Sequence, residues 1–141
     1  MNIGKLVYSL LSNYSAVSTA VTSGGLTRIT ASIMAQDVAM PFITYQTISI
    51  NPNDTKDGVS QFDQYRVQVN VVYAYGSNAY DTAQTLAENV RLCLDRATPG
   101  TYNGVQLHNS TFINQRDDFS LSSSERGAFM ITQDYYFWIY R

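Results

Sequence analysis

Chemistry in this chain would have to come from one histidine, one cysteine and a few acidic pairs. His108 could act as a general base or a metal ligand, because imidazole titrates near neutrality. No nucleophile or carboxylate stands at a telling spacing from it, so it reads as a surface imidazole. Cys93 falls on the apolar stripe of a predicted helix, where a small buried hydrophobe is expected rather than a reactive thiol. One cysteine also forbids an internal disulfide framework and suits a reducing compartment. A single His and a single Cys do not make a zinc site. Asp54 and Asp57, followed by Gly58, outline a calcium loop faintly but lack the alternate oxygens and the closing bidentate Glu. Asp117 and Asp118 are adjacent, so on a strand their carboxylates diverge and cannot flank a glycosidic bond. Ser23-Gly24-Gly25 is too short for a phosphate loop and has no lysine, and no serine sits in a nucleophile elbow. The residues therefore imply no enzyme, no cofactor and no metal.

Composition points to contact surface instead. Of 141 residues, 14% are charged, against about 25% in ordinary globular domains. Aromatics reach 13%, with eleven tyrosines. Such a surface is neutral and polar, and tyrosine suits interfaces because one end is apolar and the other stays wet. Net charge is −2 and the basic residues are scattered, which disfavours direct binding to nucleic acid. The apolar patch Ile3–Leu11 is far shorter than the roughly 20 residues of a membrane span and carries Lys5, Tyr8 and Ser9. It also makes a poor signal peptide, so synthesis in the cytosol is expected.

By length the chain is one domain, residues 1–141. Ile3, Leu6, Val7, Leu10 and Leu11 predict a short amphipathic helix, with one more turn over Ala16–Val21. Arg28-Ile29 could form a brief strand. Pro41 precedes a β-branched, aromatic strand from Phe42 to Ile50. The polar run Asn51–Gly58 then forms a mobile loop at the tip of a long β-arm. The return strand alternates Tyr65, Val67, Val69, Val71 and Tyr73 with polar residues. Ser77 is the expected cap of the main helix, which carries an apolar stripe from Ala79 to Ala97 and stops at Pro99-Gly100. Val105, Leu107, Asn109, Thr111 and Ile113 suggest a strand, with Arg116-Asp117-Asp118 in or beside a loop. The last strand, Gly127–Arg141, is aromatic on both parities, which predicts burial on both faces, within the fold or against another subunit. The expected class is α+β: a mostly antiparallel sheet with a long β-arm, packed on one face by one long and one short helix.

This order of elements resembles the tail-completion or tail-terminator proteins of long-tailed bacteriophages. The resemblance is carried by the N-terminal helix, the Met40-Pro41-Phe42-Ile43-Thr44-Tyr45 strand, the arm and the return strand Arg66–Val71. The Ala-rich helix Ala79–Ala97 and the closing Asp134-Tyr135-Tyr136-Phe137-Trp138-Ile139-Tyr140 complete it. It covers nearly the whole chain, although the arm is polar and Ala31–Ala39 has little to match.

The resemblance implies a virion protein, assembled in the host cytoplasm, that forms a homohexameric ring on the head-proximal end of the tail tube. Such a ring stops tube growth and meets the neck or connector, while DNA passes through its channel without specific binding. Contacts would involve Asp54, Lys56, Asp57, Arg116, Arg126, Trp138 and Tyr140, with Asp54 and Asp57 facing Arg116 or Arg126 across a subunit boundary. Two other readings stay open: a neck or head-completion protein of related fold, and a monomeric domain with an aromatic ligand pocket.

Overall fold

The computed structural model describes residues 2–23, 26–31, 41–52, 58, 61–74, 79–120 and 128–140. Helix α1, Ile3–Ser12, begins where the Asn2 side chain accepts the Gly4 N–H at 2.9 Å. It buries Ile3, Leu6, Val7 and Leu11 and ends where Asn13 donates its side-chain N–H to the Ser9 carbonyl at 2.8 Å. At Gly4 a Cβ would stand 3.1 Å from the Tyr45 ring, so glycine lets the helix lie close to the sheet. The extra turn expected after it is a separate helix, α2, Ser15–Val21, anchored by Val17 and Val21. A small antiparallel hairpin follows, β1 (Thr22–Ser23) with β2 (Leu26–Thr27).

The main sheet has six strands: β3 (Ile29–Ala31), β4 (Phe42–Pro52), β5 (Phe62–Ala74), β6 (Gly100–Tyr102), β7 (Val105–Ser120) and β8 (Ala128–Tyr140). Their spatial order is β3-β4-β5-β8-β7-β6. The β3–β4 pairing is parallel, and the other four are antiparallel. Strands β6 and β7 turn through Asn103-Gly104, both at positive φ, which is the two-residue hairpin turn that Asn-Gly favours. Helix α3, Ala79–Leu94, lies between β5 and β6 in sequence, with Asp81 in its first turn. It presses Ala83, Leu86, Ala87, Val90, Cys93 and Leu94 into the core. The expected cap Ser77 lies outside the described residues.

Two sequence expectations change in detail. The main helix ends at Leu94, not at Pro99-Gly100, because Arg96 takes a left-handed φ of 53° and turns the chain toward β7. There the Arg96 N–H meets the Ser110 carbonyl at 3.1 Å, and the Ala97 N–H meets the Ser110 hydroxyl at 2.9 Å. That hydroxyl donates to the Leu94 carbonyl at 2.6 Å, and the Asp95 carboxylate accepts the Phe112 N–H at 2.9 Å. These four bonds satisfy the helix end and pin it to the sheet. The second change is that Arg116-Asp117-Asp118 is strand, not loop, because β7 runs on to Ser120. Register shifts at Leu107/Asn109 and at Phe112/Asn114 break the simple alternation. The helix-side set is therefore Val105, Leu107, Ser110 and Phe112 rather than the odd residues alone.

Candidate assembly surface

The helices cover one face of the sheet. On that side β5 contributes Tyr65, Val67, Val69, Val71 and Tyr73, and β8 contributes Ile131, Tyr135, Phe137 and Ile139. A polar lock sits among them. The Tyr135 hydroxyl donates to the Gln133 side-chain oxygen at 2.7 Å, while the Gln133 amide donates to the Ala87 carbonyl at 2.9 Å and to Gln115 at 2.8 Å. Burial pushes the Tyr135 hydroxyl well above the ordinary phenol range, with Asp95 adding to the shift. Desolvation also drives the Cys93 thiol up to about 12, and its Sγ lies 3.1 Å from the Leu10 carbonyl. Cys93 is thus a packed hydrophobe of the α1–α3 contact.

The opposite parity of the same strands faces away from the helices. Burial of β8 differs between its faces toward its end: Tyr135, Phe137 and Ile139 are fully buried, whereas Tyr136, Trp138 and Tyr140, on the other parity, are partly exposed. At the arm end Phe62 stacks on His108 with centroids 4.5 Å apart, and Tyr140 lies 4.8 Å from Phe62. The Tyr140 hydroxyl and His108 Nδ1 are 3.0 Å apart, and Tyr136 and Trp138 tilt together at 5.9 Å. Next to this aromatic row lies Asp134, 2% exposed. Its Oδ2 takes Arg116 Nη1 at 3.2 Å and Arg66 Nη2 at 3.4 Å. Farther along, Gln46 bonds Gln68 at 2.6 Å, and Asn70 bridges Thr44 at 3.3 Å and Thr132 at 3.0 Å. The described residues of this face form an aromatic and amide surface around one charge cluster, two arginines on a single carboxylate. Amide and hydroxyl pairs spanning neighbouring strands cross-link it and lower its demand for water.

Of the residues expected to make contacts, Trp138 and Tyr140 lie on this uncovered face. Arg116 lies there too, its guanidinium directed to Asp134 of its own chain. Asp54, Lys56, Asp57 and Arg126 lie outside the described residues. Asp134, Arg66, Phe62 and His108 were not anticipated. An acid inside an aromatic strand was the available signal for Asp134, but its two partners become visible only through the strand register.

Among the described residues no three His, Cys, Asp or Glu side chains cluster to hold a metal. Among them also, no helix is long and apolar enough to cross a membrane.

The fold has solved counterparts. A chain from the virion of a native gene transfer agent particle superposes with a TM-score of 0.69 at 14% identity, over 96% of this chain and 92% of its own. A second solved chain reaches a TM-score of 0.54 at 13% identity, over 99% and 94%. No curated protein matches the sequence. The family model described as tail completion protein gp17 matches residues 5–140, and the chain therefore belongs to that family of virion tail-completion proteins.

Proposed function

We propose that the protein acts as a tail terminator, a hexameric ring seated on the head-proximal end of the tail tube. The observation that carries the reading is a sheet whose described helices all lie on one side, in a chain of the tail-completion family. The uncovered face bears Tyr136, Trp138 and Tyr140, with Asp134, Arg66 and Arg116 beside them. A growing tube end is a heterologous surface that propagates until something matches it on one side and not on the other. A mainly aromatic and amide surface suits that task, since its apolar area yields about 25 cal/mol per Å2 on burial. The solved counterpart from a gene transfer agent virion supports placing the fold in a phage-like particle.

In this reading the ring joins tail to neck at the tail–neck junction, and DNA crosses its channel without specific contacts. Arm residues Asp54 and Asp57 meet Arg116 or Arg126 of the neighbouring copy, each rim pair contributing at most about 1 kcal/mol. Deletion of the gene from the phage tests the role. Tails extended well beyond normal length support the terminator. Tails of normal length accompanied by filled, tailless capsids in its absence would assign it to the neck instead.

A further inference from the structure

We propose that neighbouring copies in the ring join edge to edge, the arm half of β4 in one copy pairing antiparallel with the outer half of β7 in the next. The inference rests on the ring reading and names the seam of that ring. Strand β3 covers β4 only at Ile43–Tyr45, and β6 covers β7 only at Val105–Leu107. Ser110 and Phe112 are then closed off by the end of α3. Beyond these points no described strand pairs with the outer side of Gln46–Pro52 or of Asn114–Asp117.

The β4 segment is not guarded as isolated edges usually are. From Gln46 to Asn51 it carries no charge, and its proline comes only at Pro52. Ile48 and Ile50 on it are 48% and 53% exposed. The bulge between Thr47 and Ser49 twists the strand without supplying a repelling group. On β7 the charges are tied back over the two faces: Arg116 to Asp134 at 3.2 Å, and Asp117 to the Tyr80 hydroxyl at 2.8 Å. No described strand occupies the outer edge beside them.

Strand directions agree with this partner. Alternation across β4, β5, β8 and β7 is antiparallel throughout, so β4 and β7 run in opposite senses. A second copy placed beside the first in the same sheet orientation meets it antiparallel, the better bonded arrangement. Levels follow from the register. Gln46 aligns with Gln68, Gln68 with Asp134, and Asp134 with Asn114. Ser49 opposite Arg66 lies two rungs to one side of that level, and Arg116 opposite Thr132 two rungs to the other. Adjacent copies are therefore displaced by about four rungs along the strands, the kind of stagger that closing a sheet on itself requires.

The test compares amide exchange in the full-length chain as dilute monomer and as assembled oligomer, in solution or on isolated tail ends. Amides within Gln46–Asn51 and within Asn114–Asp117 should both slow by roughly 10-fold or more on assembly. The Ile48→Lys, Ile50→Lys double variant should associate at least about 100-fold more weakly, because like charges enter the seam at an otherwise neutral edge. Its unfolding midpoint should stay unchanged. An oligomer in which neither segment is protected, or only the β4 segment is, overturns the seam and leaves the ring standing. A chain that stays monomeric both in solution and on tail ends overturns ring and seam together.

Discussion

Arg116 reaches diagonally across the β7–β8 ladder to place Nη1 3.2 Å from Oδ2 of Asp134, on the sheet face turned away from the helices. Arg66 arrives at the same oxygen from β5, at 3.4 Å. The acid is almost fully buried, while its partners keep about 38% and 48% of their side chains exposed. One carboxylate thus ties three central strands together and sets the electrostatic character of the uncovered face. Arg66 Nε is buried there without a hydrogen-bond partner among the described residues.

Removing that acid should cost stability, but less than a fully buried ion pair would. Asp134→Asn keeps the shape and leaves two arginines that can turn to water, so about 1–2 kcal/mol is expected in urea unfolding. Arg116→Met, which leaves the Arg66 bond in place, should cost under about 1 kcal/mol.

The lock under α3 should matter more. Tyr135→Phe strands the Gln133 oxygen and should cost about 1–2 kcal/mol. Gln133→Ala also releases the Ala87 carbonyl and Gln115 and opens a void, so about 3 kcal/mol is expected. A double-mutant cycle between the two should be clearly non-additive, since they share one bond.

Titration of buried groups predicts an alkaline weakness. Cys93 sits at about 12 in the fold against an ordinary value of 9.0, and Tyr135 is raised as well. Above pH 9 the unfolded chain loses its thiol proton while the fold retains it, so stability falls as pH climbs toward 12. Unfolding followed from pH 7 to pH 11 should show this decline, with a shallower slope in Cys93→Ala. The native thiol should also resist alkylation at pH 8 by roughly 100-fold relative to the unfolded chain.

These sites show how far the sequence could be read. The period-2 alternation of Tyr65, Val67, Val69 and Val71 and the stripe from Ala83 to Leu94 follow directly from burial on one face, so both elements were legible. Strand β7 was not, because two register shifts hide its alternation and its charged end resembles a loop. The aromatic closing strand was recognisable, but sequence could not separate its core parity from its uncovered one. The turn of α3 at Arg96 was missed because a left-handed arginine leaves no compositional mark, unlike the glycine usually found there. The Asp134 cluster depends on three strands from separate parts of the chain, and only their register assembles it.

The aromatic row Tyr136 and Trp138 should be dispensable for folding and required for assembly. Trp138→Ala and Tyr136→Ala remove half-covered rings, so each should cost no more than about 1–2 kcal/mol of stability. Each should nonetheless abolish retention of the protein on isolated tails, measured by co-sedimentation with wild-type tails as reference.

The most direct test of the terminator role is the length distribution of tails in negatively stained lysates from phage lacking this protein. The account predicts tails that overrun their normal length and recover it when the wild-type chain is supplied. Tails of unaltered, uniform length in its absence would contradict it.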